Sequence, residues 1–307
     1  MKGIVFKSTG SHYAVRLEDG AKLRCRARGK LRLAGVRTTN PIAVGDRVEV
    51  ERVGGEEGVI TRILDRDNYI IRKATNLSRE AHVLAANLDQ AIIVATVRHP
   101  ETSTLFIDRF LASAEAYGIP ATIILNKVDL LDEEDKMLAG ALAAIYRGAG
   151  YPFLPVSAVT GEGMEEVEAL LAGKVSALTG LSGAGKSTLI NCVEPGLDLK
   201  TADLSAAHDT GRHTTTFAEM FPLRSGGFIV DTPGIRAFGL VRLKREELSH
   251  YFPEIFRASR GCRYYNCTHV HEPGCAVREA MEEGAISESR YASYVDMFDE
   301  QEDKYRR

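Results

Sequence analysis

One stretch decides the fold of the middle of the chain, and it reads Gly180-Leu181-Ser182-Gly183-Ala184-Gly185-Lys186-Ser187-Thr188. The apolar run Val175–Leu178 before it predicts a strand, and the residues from Lys186 onward predict a helix. A glycine-rich turn between a strand and a helix directs several backbone N–H groups at a phosphate. Lys186 adds a positive charge for the β- and γ-phosphates, and Ser187 offers a hydroxyl ligand to Mg²⁺. The stretch therefore predicts a nucleoside triphosphate site and leaves the base open.

A second loop, Asn126-Lys127-Val128-Asp129, indicates which base is bound, and it directly follows the predicted strand Ala121–Leu125. A carboxylate at Asp129 can accept hydrogen bonds from the N1–H and 2-amino groups of guanine, which adenine cannot supply. Ser157 and Ala158 follow the next predicted strand, and we interpret them as the companion loop at guanine O6. An ordinary solvated turn is the alternative for an isolated loop, but two loops at successive strand ends favour GTP.

Two later segments supply the expected contacts to Mg²⁺ and the γ-phosphate. The D-x-x-G segment 231–234 follows an apolar predicted strand. In such a segment Asp231 holds Mg²⁺ through water and the Gly234 N–H contacts the γ-phosphate. Three adjacent threonines at 214–216 are candidates for the switch ligand of Mg²⁺, and we expect Thr215 to be that ligand.

The order of these motifs differs from that of ordinary small GTPases, in which the phosphate loop comes first and the guanine-reading loop comes last. Here the order is G4-G5-G1-G2-G3, because the guanine loops at 126–129 and 157–158 precede the phosphate loop. Strands alternate with helices through this part, which predicts a parallel sheet covered on both faces. A fold whose termini lie close together tolerates new chain ends. We therefore predict a circularly permuted P-loop GTPase domain of the α/β class over residues 75–240.

Residues 1–74 predict an all-β domain. Alternating runs such as Tyr13–Leu17 are separated by turns, and several short strands in about seventy residues favour an OB-fold barrel. This segment holds 16 Lys and Arg residues and 9 Asp and Glu residues, a net charge of +7, so the remainder carries −10. A solvated basic surface is one interpretation and an RNA-binding face is the other. Alternation predicts that one strand face carries Arg24, Arg26, Arg28 and Lys30.

Residues 241–307 predict a mostly helical domain with a metal site, spaced Cys262-x4-Cys267-x-His269-x5-Cys275. Three thiolates and one imidazole make the closed tetrahedral set that is typical of structural zinc. His271 is a rival for His269, and buried cysteines without a metal are the alternative. We expect a charged amphipathic helix over Glu279–Arg307 at the end of this domain.

The composition and the cysteine count bound the class of protein. Hydrophobic residues make up 44% and charged residues 26%, as in globular proteins, which excludes disorder and coiled coil. The apolar runs are shorter than the ~20 residues that cross a bilayer, and the first residues lack the pattern of a secretion signal. An odd number of cysteines, five, of which three lie within 262–275, argues for a metal in a reducing compartment. We expect a cytoplasmic protein, monomeric and without a membrane partner.

The combination of a basic OB-like domain, a circularly permuted GTPase and a C-terminal Cys/His cluster resembles one bacterial family. These are the GTPases that depend on the small ribosomal subunit, the YjeQ/YloQ-like RsgA family, and the resemblance covers essentially the whole chain. It implies a GTP hydrolase that uses GTP/GDP, Mg²⁺ and one structural Zn²⁺. It also implies binding to the small (30S) ribosomal subunit and its 16S rRNA during late maturation. The family pattern favours His269 over His271 as the zinc ligand.

The hydrolytic machinery is expected to be incomplete in the isolated chain. Ras-like proteins place a water-orienting Gln directly after D-x-x-G, but this sequence has Ile235 there. An apolar side chain cannot orient water, so we expect slow hydrolysis that the small subunit stimulates. His213 is the nearest titratable candidate, and the resemblance also presents it as the catalytic residue; a histidine in a surface loop is the alternative.

Two other functions are compatible with the same motifs. An ATP-using nucleic-acid enzyme could be built on the same phosphate loop, and Asp129 is the residue that separates it from a GTPase. The second is a GTP-binding RNA adaptor with little turnover. The rate of GTP hydrolysis with and without small subunits distinguishes this adaptor from a GTPase.

Overall fold

The computed structural model describes residues 1–9, 11–29, 41–73, 81–197, 218–231 and 243–303. These ranges form a β-barrel, an α/β domain and a mostly helical C-terminal part. Among the residues described, none of the helices has the length and apolar character that a membrane span needs.

The barrel consists of five strands, β1 (Lys2–Ser8), β2 (Tyr13–Leu17), β3 (Lys22–Ala27), β4 (Arg47–Gly54) and β5 (Glu57–Ile63). Their order is β1-β2-β3-β5-β4, and β4 pairs back with β1, which closes the barrel. β3 and β5 run parallel, while the other neighbours are antiparallel. Alternate residues such as Val15, Leu23 and Ile60 fill the interior, as the sequence pattern requires. The predicted OB-like barrel is confirmed.

The α/β domain is built on six strands, β8 (Gln90–Ala95), β9 (Ala121–Leu125), β10 (Phe153–Pro155), β11 (Val175–Thr179), β12 (Ala218–Pro222) and β13 (Phe228–Asp231). The order is β10-β9-β8-β11-β13-β12, with β12 antiparallel to an otherwise parallel set. β11, which leads into the phosphate loop, lies between a strand from earlier in the chain and one from later. This topology is that of a GTPase sheet whose chain ends have been moved.

Four helices cover the two faces of this sheet, α1 (Thr104–Ala116), α2 (Glu133–Ala149), α3 (Met164–Leu171) and α4 (Lys186–Val193). Phe110 and Tyr146 place α1 and α2 in one buried cluster. Val167 and Leu189 place α3 and α4 in the other. Because both faces are covered, residues 91–95 of β8 form an unbroken apolar run, with Ile92, Ile93 and Val94 all 0% exposed.

The barrel and the α/β sheet form one continuous sheet of eleven strands. β1 pairs with β4 at residues 2–4, and then with β12 through Lys7↔Glu219 and Ser8↔Ala218. A register shift between Val5 and Lys7 separates these two pairings. A bulge of this kind bends a strand, and here it carries β1 from the barrel to the edge of the GTPase sheet.

A hairpin between the barrel and the α/β sheet was not predicted. Its strands are β6 (Tyr69–Lys73) and β7 (Ala81–Ala86), and they pair with each other across residue 74. The short strand AHVLAA lacks the alternation that would have revealed it from sequence. The predicted division at 74/75 therefore falls between two paired strands.

The C-terminal part contains α5 (Pro253–Ser259), α6 (Ala276–Glu282) and α7 (Glu288–Asp303). The prediction of one helix over Glu279–Arg307 was wrong, because the helix is interrupted between α6 and α7. Gly284 adopts a left-handed conformation with φ of 77°, and the N–H groups of Ala285 and Ile286 both bond the Ala280 carbonyl. This arrangement ends a helix and turns Ile286 into the core, where it is 3% exposed.

A buried ion cluster joins the C-terminal part to the GTPase domain. Arg290 on α7 donates to Asp108 on α1 at 2.8 Å and to Glu254 on α5 at 2.7 Å and 3.2 Å. The Arg290 guanidinium also lies 4.6 Å from the centre of the Phe252 ring. Arg290 is 1% exposed and Asp108 is 0% exposed, so these bonds form away from water and hold α7 against α1.

Candidate functional site

The phosphate loop connects β11 to α4 and is shaped by two glycines at which any side chain would be strained. Gly180 has φ of 145°, and a Cβ there would lie 2.3 Å from the Val94 carbonyl oxygen. Gly185 has φ of 92°, and its Cβ would lie 2.2 Å from Nδ2 of Asn126. Both conformations are open to glycine and strained for other residues. The loop is therefore pressed between β8 and the guanine loop.

Lys186 and Ser187 begin α4 and are 9% and 6% exposed. The Lys186 ammonium group donates to the carbonyl oxygens of Gly180 at 2.9 Å and Leu181 at 2.7 Å. These contacts hold the charge inside the loop, where the N-terminus of the helix also favours an anion. Ser182 and Gly183 form the exposed outer side of the turn.

Asn126 joins three of the predicted loops. Its side-chain amide donates from Nδ2 to the Ala184 carbonyl of the phosphate loop at 2.9 Å. Its Oδ1 accepts from the Ala158 N–H of the second guanine loop at 3.2 Å. Asn126 is 3% exposed, so both bonds are shielded from water. One side chain thus brings together loops that are 32 and 58 residues away in sequence.

The two guanine loops are ordered by further hydrogen bonds. Val128 N–H donates to the Val156 carbonyl at 3.2 Å, and Ser157 Oγ accepts from Thr160 N–H at 3.1 Å. Ser157 is fully buried, whereas Asp129 lies in a 3-10 turn, Val128–Leu130, and is exposed. An exposed carboxylate on an ordered turn is available to a base, which fits the role expected of Asp129.

A loop after β8, residues 96–102, also reaches the site, and the sequence analysis missed it. Thr96 and Thr102 close this loop through two hydrogen bonds of 3.0 Å. The His99 carbonyl accepts from the Lys127 ammonium group, and Pro100 Cδ would lie 3.5 Å from a Cβ at Gly183. The sequence did contain one signal for this loop, which is its place directly after a predicted strand. The carboxyl ends of parallel strands meet at one edge of the sheet, where ligands bind.

Several predicted site residues lie outside the described residues. These are Lys30, His213, Thr215 and Gly234. For Asp231 only the backbone is described, so its side chain is also outside the described part of the chain. The roles assigned to them stay predictions. β13, which runs into the D-x-x-G segment, pairs with β11, and β12, which follows the threonine segment, pairs with β13.

The four predicted metal ligands come together in the C-terminal part. The ligand atoms of Cys262, Cys267, His269 and Cys275 all lie within 4.8 Å of one another. The Cys262 and Cys275 sulfurs are 3.9 Å apart, and they lie 3.5 Å and 3.6 Å from His269 Nδ1. Zinc–sulfur bonds of about 2.3 Å in a tetrahedron imply ligand separations near 3.8 Å, so the cluster fits a zinc ion. The exposed His271 is outside the cluster.

The ionisation of these buried groups bears on how they could hold a cation. Burial, followed by the neighbouring thiols, raises the pKa of Cys267 to about 12, and burial lowers the pKa of His269. The imidazole is therefore neutral and able to ligate, while a thiolate needs a positive charge nearby. α7 holds the backbone of the cluster loop, because the Tyr291 and Tyr294 hydroxyls donate to the carbonyls of His269 and Thr268 at 2.8 Å and 2.7 Å.

The predicted basic face of the barrel is described in part. Arg24 and Arg26 are exposed on β3, as alternation requires, whereas Arg28 donates to Glu51 at 2.5 Å. This ion pair is exposed at both partners, so it leaves the guanidinium accessible to a competing phosphate.

The fold and the loops at its edge define a circularly permuted GTPase with a barrel before it and a helical part with a Cys/His cluster after it. The family model described as RsgA GTPase matches residues 63–241, and that described as RsgA N-terminal domain matches residues 2–60. The chain belongs to the RsgA family of GTPases, whose members are GTP hydrolases that use GTP/GDP and Mg²⁺.

Curated relatives and solved structures match this chain over almost its full length. The small ribosomal subunit biogenesis GTPase RsgA of Bacteroides fragilis is 55% identical over 100% of this chain and 99% of its own. That of Porphyromonas gingivalis is 54% identical with the same coverage. The crystal structure of YjeQ from Thermotoga maritima has a TM-score of 0.81 at 41% identity, covering 97% of each chain. YloQ, titled a circularly permuted GTPase, has a TM-score of 0.78 at 30% identity over 99% of this chain and 95% of its own.

Proposed function

We propose that this protein hydrolyses GTP on the small ribosomal subunit and acts in the late maturation of that subunit. The observation that carries the proposal is the Asn126 junction, because it supports one guanine nucleotide site formed by the phosphate loop and both guanine loops. The relatives at 54–55% identity are named small ribosomal subunit biogenesis GTPases. Family membership rejects the ATP-using alternative.

The roles of individual residues follow from the motifs. Asn126–Asp129 with Ser157 and Ala158 bind guanine, and residues 180–188 bind the phosphates. Ser187, Thr215 and Asp231 hold Mg²⁺, and Gly234 contacts the γ-phosphate. His213 orients the attacking water, since Ile235 cannot. The zinc ion held by Cys262, Cys267, His269 and Cys275 is structural, because all four of its positions are filled by protein ligands.

The partner is the small subunit through its 16S rRNA. The net charge of +7 over residues 1–74 supports contact with a polyanion, and Arg24, Arg26, Arg28 and Lys30 are the residues assigned to it. We place the protein in the cytoplasm, where ribosomal subunits mature, as a monomer without a membrane partner. Its division into an OB-fold domain at 1–74, a GTPase domain at 75–240 and a zinc-binding domain at 241–307 is part of the same proposal.

Turnover of GTP with and without purified small subunits tests the function. We expect slow hydrolysis by the isolated protein and at least tenfold faster hydrolysis with small subunits, but no increase with large subunits. His213→Ala should retain GTP and subunit binding and lose the stimulation. Equal turnover under all conditions would favour the adaptor alternative. Full stimulation of the His213→Ala variant would remove the catalytic role of that residue alone.

A further inference from the structure

The barrel carries a cavity of about 390 Å³, and Arg24 is the one lining residue, among those the structure describes, that belongs to the predicted RNA-binding face. It lies over β1, β2 and β3, next to the turn from β1 to β2 and the turn from β4 to β5. Phe6, His12 and Glu56 line it, together with the basic residues Lys7, Lys22 and Arg24. This is the part of an OB-fold, strands 2–3 and the adjoining loops, that receives oligonucleotides and oligosaccharides.

The chemistry of the lining fits an unpaired nucleotide. The half-buried Phe6 offers a ring face, and the Lys22 ammonium group lies 5.8 Å from the ring centre. Three cationic side chains face one carboxylate, Glu56, so the cavity has a net positive charge. An aromatic platform with cations at its rim is the arrangement that stacks a base and neutralises its phosphate. The volume lies in the range that holds a small ligand.

His12 lines this cavity from the turn between β1 and β2. The Thr9 N–H donates to the His12 carbonyl at 3.0 Å, and the His12 N–H donates to Thr9 Oγ1 at 3.3 Å. The His12 ring also lies 3.0 Å from Ser11 Oγ through Nδ1. The side chain therefore reaches the cavity from a closed turn rather than from an extended loop.

The cavity is connected to the GTPase sheet through two of its own lining residues. Phe6 lies in the bulge of β1 and packs against the buried cluster beneath α1 and α2. Lys7 forms an ion pair of 2.6 Å with Glu219 on β12. β12 begins two residues after Thr216 in sequence. The strand that follows the threonine segment, β12, is thus joined to the cavity-lining strand β1 by backbone pairing and by an ion pair.

We propose that this cavity binds one unpaired nucleotide of an RNA strand, with its base on Phe6 and its phosphate near Lys7 and Lys22. The phosphate competes with Glu219 for Lys7, so RNA binding and the nucleotide state of the GTPase site are linked through β12. The inference deepens the proposed function and rests on it for the presence of RNA.

Binding of a fluorescent eight-nucleotide single-stranded RNA to the full-length protein tests the cavity. Phe6→Leu, which keeps an apolar contact with the sheet, should weaken binding about tenfold through lost stacking. Lys22→Gln should weaken it severalfold and reduce the salt slope by about one ion. Arg62→Gln is the matched control, since it removes one basic charge from β5 outside the cavity lining and should change affinity less than twofold.

Two outcomes would overturn the site. The first is wild-type affinity in both Phe6→Leu and Lys22→Gln, with circular dichroism showing that each variant is folded. The second is displacement of the RNA by a free mononucleotide at the same concentration as by unlabelled octamer, which would assign the cavity to a soluble nucleotide.

The link to the GTPase site is tested by reciprocity, because a ligand that senses the nucleotide state must bind with different affinity in each state. We expect the octamer to bind the wild-type protein with at least a fivefold difference between the GDP form and the form with a non-hydrolysable GTP analogue. Glu219→Gln should abolish the difference while retaining RNA binding. Equal affinities in the wild type, or a difference that persists in Glu219→Gln, would overturn the link. Stimulation of the wild type by small subunits tests the proposed function independently of these results.

Discussion

Asn126 shows at the scale of one residue how the site is assembled. A peptide group directs its N–H and its C=O in opposite directions, whereas a side-chain amide carries donor and acceptor on one carbon, so Asn126 can bond an N–H and a carbonyl of two loops at once. It uses the two functions on two different loops, at Ala158 and Ala184. The close approach of Gly185 to the same amide leaves no room for a larger side chain on either partner.

Replacement of Asn126 should therefore affect nucleotide binding more than folding. Asn126→Ala leaves a buried N–H and a buried carbonyl unpaired, and we expect GTP affinity to fall about tenfold or more. Asn68→Ala is the matched control, because Asn68 makes the same pair of bonds to Leu88, at 2.8 Å and 2.9 Å, outside the GTP loops. Calorimetric titration with GTP should find Asn68→Ala near the wild-type affinity. Similar losses in both variants would mean that Asn126 acts on stability alone.

Asp129 should determine the base. Two hydrogen bonds from guanine to a carboxylate are each worth about 1.5–3 kcal/mol, so Asp129→Asn should weaken GTP binding at least 100-fold. An amide can donate to the 2-oxo group of xanthine, so binding of xanthosine triphosphate should improve. Competition between the two nucleotides measures both effects. Retained preference for GTP would place the base elsewhere.

At the scale of elements, the Cys/His cluster brings together the two ends of the loop between α5 and α6. Few apolar residues lie between Cys262 and Cys275, so the loop depends on its ligands for order. Cys262→Ser should lose stoichiometric zinc and the protection of amide hydrogens in the cluster loop. Cys192→Ser is the control, because Cys192 lies outside the cluster, on α4. Atomic absorption and hydrogen exchange measure the two effects, and full zinc content in Cys262→Ser would contradict the assignment.

The ion cluster around Arg290 joins three helices, and loss of its cation should cost more stability than loss of one of its carboxylates. Arg290→Met leaves two buried carboxyl groups without their cation, and we expect a loss of about 3–5 kcal/mol in the free energy of unfolding. Burial raises the pKa of Asp108, and the attraction of Arg290 lowers it by less. Asp108→Asn should therefore cost less than Arg290→Met.

The pH dependence of stability provides a separate measurement of Asp108. Because its pKa is raised in the folded protein, the contribution of this carboxyl group is complete below its ordinary pKa of about 3.9. It is lost as the pH rises through the raised folded-state value. Urea unfolding of wild type and Asp108→Asn should show this falling contribution in the wild type alone. Parallel pH profiles would contradict the shift.

At the scale of the whole molecule, the permutation places the D-x-x-G segment directly before the C-terminal part. Loss of the γ-phosphate collapses such switch segments in GTPases. We expect the nucleotide state to be felt first in the 3-10 segment Arg245–Tyr251, which is the first described element after it. α7 is held to α1 by buried ion pairs and should move little.

Hydrogen exchange in the GDP form and in the form with a GTP analogue tests this expectation. Amide protection should differ over Arg245–Tyr251 and stay equal over α7, for which α1 is the internal control. Equal protection over both segments would separate the C-terminal part from the switch, and a change confined to α7 would contradict the anchoring role of Arg290.

The sequence by itself determined the order of the motifs and predicted which residues carry chemistry. Gly180–Thr188, Asn126–Asp129 and the Cys/His spacing are local patterns whose residue types are required by phosphate, guanine and zinc, so they can be read without a fold. It also predicted the strands and helices of the GTPase domain, since their periodicity is local. The tertiary structure decided what depends on contacts between distant segments. These are the Asn126 junction, the approach of the loop after β8, the joining of β1 to β12, and the turn of Ile286 into the core that breaks the last helix. Such contacts follow from the packing of whole elements, which no local pattern records.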